Sequence, residues 1–145
     1  MHRIAKGLNQ TIDEFLAKVS PKINWESNAQ PGKLSNKEVI GHLIDSAQIN
    51  LQRFVRCTYE DGFRLIYHQD EWVKAQHYNN ADIGNLLEHW KQLNLQIARV
   101  MENYPADRLI ATCNTSRQGV TLNTVEFLAN DYLSHLQHHL KQLSA

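Results

Sequence analysis

The 145-residue chain is short of most features that assign a class at sight. It has two cysteines, Cys57 and Cys113, far apart and in no C-x-x-C pair. That usage argues against a disulfide framework and for a reducing cytoplasm. It has three prolines against 42% hydrophobic residues, which is not the composition of a disordered chain. It has no excess of either charge, since 15 Lys+Arg balance 15 Asp+Glu. A neutral chain gives no electrostatic footprint for nucleic acid or an anionic membrane. No apolar run approaches the ~20 residues that cross a bilayer. The first residues, MHRIAKGLNQTIDEF, lack the apolar core and cleavage site of a signal peptide. No repeat or linker divides the chain, so we expect one domain over residues 1–145, soluble and cytoplasmic, large enough to fold without disulfides.

What is present is helical periodicity in four stretches. The first runs from Arg3 to Val19, with Ile4, Leu8, Ile12, Phe15 and Val19 on one face, and ends before Pro21. The second opens at Ser35, where Ser35-Asn36-Lys37-Glu38 reads as a capping box. Its stripe is Ile40, Leu43, Ile44, Ala47, Leu51, Phe54 and Val55. The third spans Asp82 to Asn103 around Leu86, Trp90, Ile97 and Met101. The fourth starts near Asn123, where Asn123-Thr124-Val125-Glu126 repeats the cap, and runs through Leu128, Tyr132, Leu136 and Leu140 to the C-terminus. No convincing strand appears, and Arg64 to Tyr67 is the best short stretch. Four such helices predict an all-α four-helix bundle. The connection from Glu60 to Ala81 between the second and third helices is long where 2–8 residues is typical. A connection of that length permits a crossing topology and often carries function.

Histidine is the one excess: eight in all, three within the last eleven residues. His135 and His139 stand four apart, so they project one turn apart from one helix face and could grip one cation. By spacing alone the pair is a weak signal, and it reads first as two surface histidines near a helix C-terminus, where partial charge favours the helix dipole. His138 lies ~80° from the mean direction of that pair and is expected to face solvent. A third ligand must come from another helix, and His42 is the candidate. On a helical wheel, however, His42 falls off the Leu43/Ala47/Leu51 stripe, with Ser46, Ile49 and Arg53, on what reads as the polar face. His68, His77 and His89 read as exposed or satisfied histidines.

These segments carry a resemblance. Gly41-His42-Leu43-Ile44-Asp45-Ser46, then Asn50-Leu51-Gln52-Arg53-Phe54, the stretch Asp70-Glu71-Trp72, and the His-x-x-His-His-Leu-x-Gln-Leu run from His135 to Leu143 resemble the DinB-like superfamily. The resemblance implies a four-helix bundle with a long second-to-third connection. It also implies a divalent metal held by three histidines, which map onto His42, His135 and His139 and leave His138 outside the set. Where many relatives read His-His-Arg-Gly-Gln, this chain reads His138-His139-Leu140-Lys141-Gln142.

Three neutral imidazoles leave coordination positions open, the catalytic rather than the structural pattern. A cation there could lower the pKa of a bound water or hold a thiol as thiolate. Zn²⁺, Ni²⁺, Fe²⁺ and Mn²⁺ all tolerate imidazole. By resemblance, transfer of a low-molecular-weight thiol such as bacillithiol or mycothiol to a small electrophilic substrate is favoured, as detoxification or stress chemistry. Hydrolysis by a metal-bound water is the second reading. A non-catalytic metal-binding or homodimeric module is the third, with Ile49 and Phe127 outside their stripes and available to a partner. Asp45 could orient a ligand or accept a proton, or be a solvated surface carboxylate. Arg53 could hold an anionic substrate group, or an Asp or Glu. Asp70 and Trp72 sit where a loop could cover a pocket. Neither cysteine is proposed as a nucleophile.

Overall fold

The computed structural model describes residues 1–143. Four long helices form: α1 (His2–Glu14), α2 (Asn36–Arg56), α4 (Ile83–Glu102) and α5 (Val125–Gln142), with a short α3 (Gln69–Gln76) inside the long connection. The expected end of the last helix at Ser144 and Ala145 lies outside the described residues. The capping box forms in full: the Ser35 hydroxyl accepts from the Glu38 amide, and the Glu38 carboxylate accepts from the Ser35 amide. At the start of α5 the cap is Thr124, whose hydroxyl accepts from the Phe127 amide.

Each of α1 and α2 packs against both α4 and α5. α1 and α2 therefore sit at opposite corners, as do α4 and α5, while the long connection joins the neighbours α2 and α4. The core is built from the expected stripes, with Leu8, Ile12, Ile40, Leu43, Phe54, Trp90, Ile97, Met101 and Leu136 all fully buried. Tyr132 donates across it to the buried Asn94 at 2.5 Å.

Three expectations are corrected. The first helix does not run straight to Val19. Its last residues, Phe15–Val19, form a π-helical turn, and each such turn holds more residues than an α turn. The stripe is thrown out of phase. Phe15 still reaches Trp90, with ring centroids 5.4 Å apart, but Val19 is 40% exposed.

Strands are present. β1 (Phe63–Arg64) pairs in parallel with β2 (Thr112–Asn114), and β2 pairs antiparallel with β3 (Leu122–Thr124). Strands of two or three residues are too short to show alternation in a sequence. They anchor the start of the long connection: the Leu65 amide donates to Asn114 just beyond β1.

The third correction matters most for the site. The wheel assigned His42, Ser46, Ile49 and Arg53 to a polar, outward face of α2, yet all four are buried. The long connection lies over that face, placing Tyr67 on His42, Tyr78 on Gly41, and the Leu65 carbonyl on Arg53. Over residues 36–47 no position of the helix is exposed, so a wheel finds no solvent stripe there, and farther along it is Gln52 and Val55, the latter from the expected apolar stripe, that are exposed. Ile49 is consequently not available to a partner, whereas Phe127 is 54% exposed.

Candidate metal centre

His42 comes from the buried middle of α2, and His135 and His139 from the last two turns of α5. The packing of α2 on α5 brings the three rings together. The His42 ring centroid lies 5.4 Å from that of His135 and 4.7 Å from that of His139. One potential ligand atom from each lies within 4.8 Å of the others. His138 turns outward and is exposed, as its phase predicts. His68, His77 and His89 are exposed too.

The donor set fits a divalent cation. Nitrogens bound to one ion at ~2.0–2.1 Å stand about 3.0 Å apart at a right angle and about 3.4 Å at a tetrahedral one. Nε2 of His135 and Nε2 of His139 are 3.0 Å apart. Outer partners hold the remaining nitrogens. Nδ1 of His139 faces Oε1 of Gln142 at 2.8 Å, and an amide oxygen only accepts, so Nδ1 carries the proton and the Nε2 lone pair is free. Nδ1 of His42 is 3.2 Å from the Tyr67 hydroxyl, which leaves its Nε2 as the free nitrogen. Tyr67 stacks on the His42 ring, with planes 10° apart, and Trp72 packs edge-on against Tyr67. Ligating imidazoles are commonly oriented this way, and loss of an outer partner costs 10–100-fold in affinity. We expect Gln142→Ala to weaken metal binding by ~10-fold or more, measured by competition with a chromogenic chelator, and Gln142→Glu to restore most of it.

Burial keeps the imidazoles neutral. The pKa of His42 is lowered to about 4, first by burial and then by the neighbouring His139 and His135. Burial also lowers His135 and His139, and the latter is partly restored by its bond to Gln142. For His42 the folded value lies below that of the unfolded chain, so between pH 6.5 and about 4 the unfolded state binds more protons. Stability of the metal-free protein is therefore present above pH 6.5 and lost as pH falls through this window. Thermal unfolding in chelator should show a Tm several degrees lower at pH 5 than at pH 7, with a smaller difference in His42→Gln.

The histidines form one wall of an open cavity of about 860 Å³. Asp70 of α3 lines it, as do Lys33, Lys74, His77 and Tyr78. His77 takes left-handed backbone, φ 50°, which ends α3 and turns the chain into Tyr78. A second cavity of about 740 Å³ shares Lys33, Leu34 and His139 with the first.

The remaining expected residues fall elsewhere. Asp45 is neither solvated nor bonded to a histidine among the described residues. It is completely buried, and its Oδ1 accepts from Gln76 and Tyr78, each at 2.5 Å. Burial raises its pKa, against the pull of those two donors. Asp45 thus ties the far end of α3 and Tyr78 down onto α2. Arg53 is buried on the same helix and lines a smaller cavity beside His135. Trp72 anchors Tyr67 rather than capping the cavity. Burial pushes the Cys57 thiol up to about 11 and raises that of Cys113, as expected of unreactive thiols. Tyr67, Tyr78, Gln76 and Gln142 were not singled out from the sequence. Tyr67 and Gln142 stood inside segments that were, but nothing in their spacing marked them as partners of a histidine.

No helix among the described residues is long and apolar enough to cross a membrane. The model of a family described as the DinB superfamily matches residues 8–143. No curated protein matches the chain. Among solved structures the fold is similar to that of YfiT from Bacillus subtilis, described as "a probable metal-dependent hydrolase with an unusual four-helix bundle topology". That likeness has a TM-score of 0.74 at 16% identity and covers 98% of this chain and 78% of that one.

Proposed function

The chain belongs to the DinB superfamily, and from that premise we propose that it is a metal-dependent enzyme in which His42, His135 and His139 hold one divalent cation. The observation that carries this reading is the convergence of the three imidazoles, with potential ligand atoms within 4.8 Å of one another, on the wall of a cavity large enough for an organic substrate. A cation there would act as a Lewis acid, lowering the pKa of a thiol or water bound to it. The chain's own part is preparation. Tyr67 and Gln142 hold two of the rings in place, and burial favours the neutral form of all three near neutrality, each with one nitrogen lone pair to offer. Lys33 and Lys74 offer cationic walls to an anionic group.

Thiol transfer is the favoured chemistry. Space lies on both sides of His139, so that two organic reactants, a small thiol and an electrophile, have separate approaches to one centre. Hydrolysis is the second reading. It needs only one organic reactant, and it is the activity named in the description of the structural neighbour.

The test begins with elemental analysis of protein purified without a polyhistidine tag. Roughly one divalent ion per chain, lost in His139→Ala, supports the site. The loaded protein is then given a chromogenic alkylating electrophile with and without a low-molecular-weight thiol, and separately a panel of activated esters and amides. Thiol-dependent turnover supports transfer, and thiol-independent cleavage supports hydrolysis. A wild type that carries no metal and takes up none of Zn²⁺, Ni²⁺ or Mn²⁺ overturns the proposal.

A further inference from the structure

Next to the large cavity, and sharing Gln69 and His135 with it, lies a small one of about 130 Å³, lined by Ser46, Asn50, Arg53, Tyr67, Asp131 and His135 among others. Arg53 is its unusual member. The residue is 8% exposed, yet every hydrogen-bond partner the fold gives its guanidinium is neutral. Nη2 donates to the Leu65 carbonyl at 2.8 Å, the Cys113 thiol lies beside it, and the buried Nε has no partner. Among the described residues no carboxylate comes within 4.0 Å of it. Asp131, exposed on α5, acts on it only from a distance. Buried cations are as a rule paired, because an uncompensated one carries most of its desolvation penalty. This one is retained unpaired at the edge of a cavity that holds hydrogen-bonding groups. Ser46 accepts from Asn50 on both its carbonyl and its Oγ, which leaves the serine hydroxyl hydrogen to donate. At ~30 Å³ per liquid water, the space suits a few waters or one planar anion.

We propose that this cavity is a carboxylate subsite, in which the Arg53 guanidinium, with the Ser46 hydroxyl, receives the carboxylate of a small organic acid. A guanidinium edge matches a carboxylate in shape and charge, and the low local dielectric strengthens the pair. Because His135 and Tyr67 form part of both this cavity and the histidine centre, a substrate anchored at Arg53 reaches the centre along His135. That last step rests on the metal-enzyme reading, and the anion site itself does not. Asp131 stands on the wall as the group that opposes an anion.

The test follows the Arg53 Nε–H resonance in proton–nitrogen spectra of the metal-free protein, with acetate exchanged for chloride at constant ionic strength. A saturable shift is expected. In Asp131→Asn, where a like charge has been removed, acetate should bind at least about threefold more tightly. In Arg53→Lys, followed on the Ser46 and Asn50 amides, binding should weaken at least about tenfold, because the fork geometry is lost. Asp131 is exposed, so its variant remains informative if Arg53→Lys fails to fold. A response that never saturates, or an affinity unchanged in Asp131→Asn, overturns the proposal. Saturable acetate binding supports the subsite even if the histidines take up no metal, and metal uptake with no acetate response sinks the subsite alone.

Discussion

Alanine at His42, His135 or His139 is expected to abolish stoichiometric binding of a divalent ion, while alanine at His138 leaves about one ion per chain. The four positions offer the same chemistry, so the difference must come from geometry. The first three present potential ligand atoms within 4.8 Å of one another from two packed helices. His138 sits one residue before His139, but its Nε2 faces the Gln142 amide on the exposed side of α5. Taking away one of three imidazoles leaves two donors and an empty corner. The loss should exceed the 10–100-fold that removal of an outer partner costs. Elemental analysis after gel filtration, with calorimetric titration of Zn²⁺ into the metal-free variants, measures this. Equal loss in all four variants would sink the ligand assignment, because it would mean that any histidine on this surface contributes alike. The folds should survive, since none of the four belongs to the apolar core.

Much of this centre was legible in the sequence, and the reasons differ residue by residue. His135 and His139 declare themselves by spacing alone, because four residues in a helix is one turn whatever else packs nearby. His42 does not. Read from α2 alone it belongs with solvent, and only its likeness to a family segment pointed to the centre. The wheel failed because it treats each helix as having one buried side. Here residues 60–81 fold back over the second side, and contacts between positions 25 to 33 apart, such as Tyr67 with His42 or Tyr78 with Asp45, leave no local periodicity to read. The four long helices were visible because their stripes and caps are local properties. Helix α3 was hidden by its length of eight residues and a single buried apolar position, Val73. The sheet was hidden because its pairing partners, Phe63 and Cys113, are 50 positions apart.

Gly41→Ala should be strongly destabilising, although in an isolated helix the same change would stabilise by up to ~1 kcal/mol. Gly41 lies inside α2, where glycine is otherwise a poor choice. A Cβ there would stand 2.0 Å from Cδ2 of Tyr78 and 2.3 Å from its Cγ, inside the ring's own volume. The ring cannot step aside cheaply. Its hydroxyl donates to Asp45, whose other oxygen already lacks a partner, and the residue is 6% exposed between α2 and the cavity. Forcing it out adds an overpacking cost of ~1–3 kcal/mol to the ~1–3 kcal/mol of a buried group losing its hydrogen bond. After the gain in helix propensity, a net loss of ~1–5 kcal/mol remains, on the order of 3–20 °C in Tm for a chain of this length. The partner variant decides whether the glycine is there for the tyrosine. Tyr78→Ala alone should also destabilise, but combining it with Gly41→Ala removes the collision. The double variant should then be more stable than the sum of the two single losses predicts, by ~1 kcal/mol or more. Strict additivity would mean that the ring and the glycine do not meet. With the collision present, the damage should extend to the metal, because Tyr78 and His42 are held from neighbouring positions on one stretch of α2. Displacing the connection there loosens Tyr67 from His42, and zinc affinity should fall in Gly41→Ala and recover in part in the double variant.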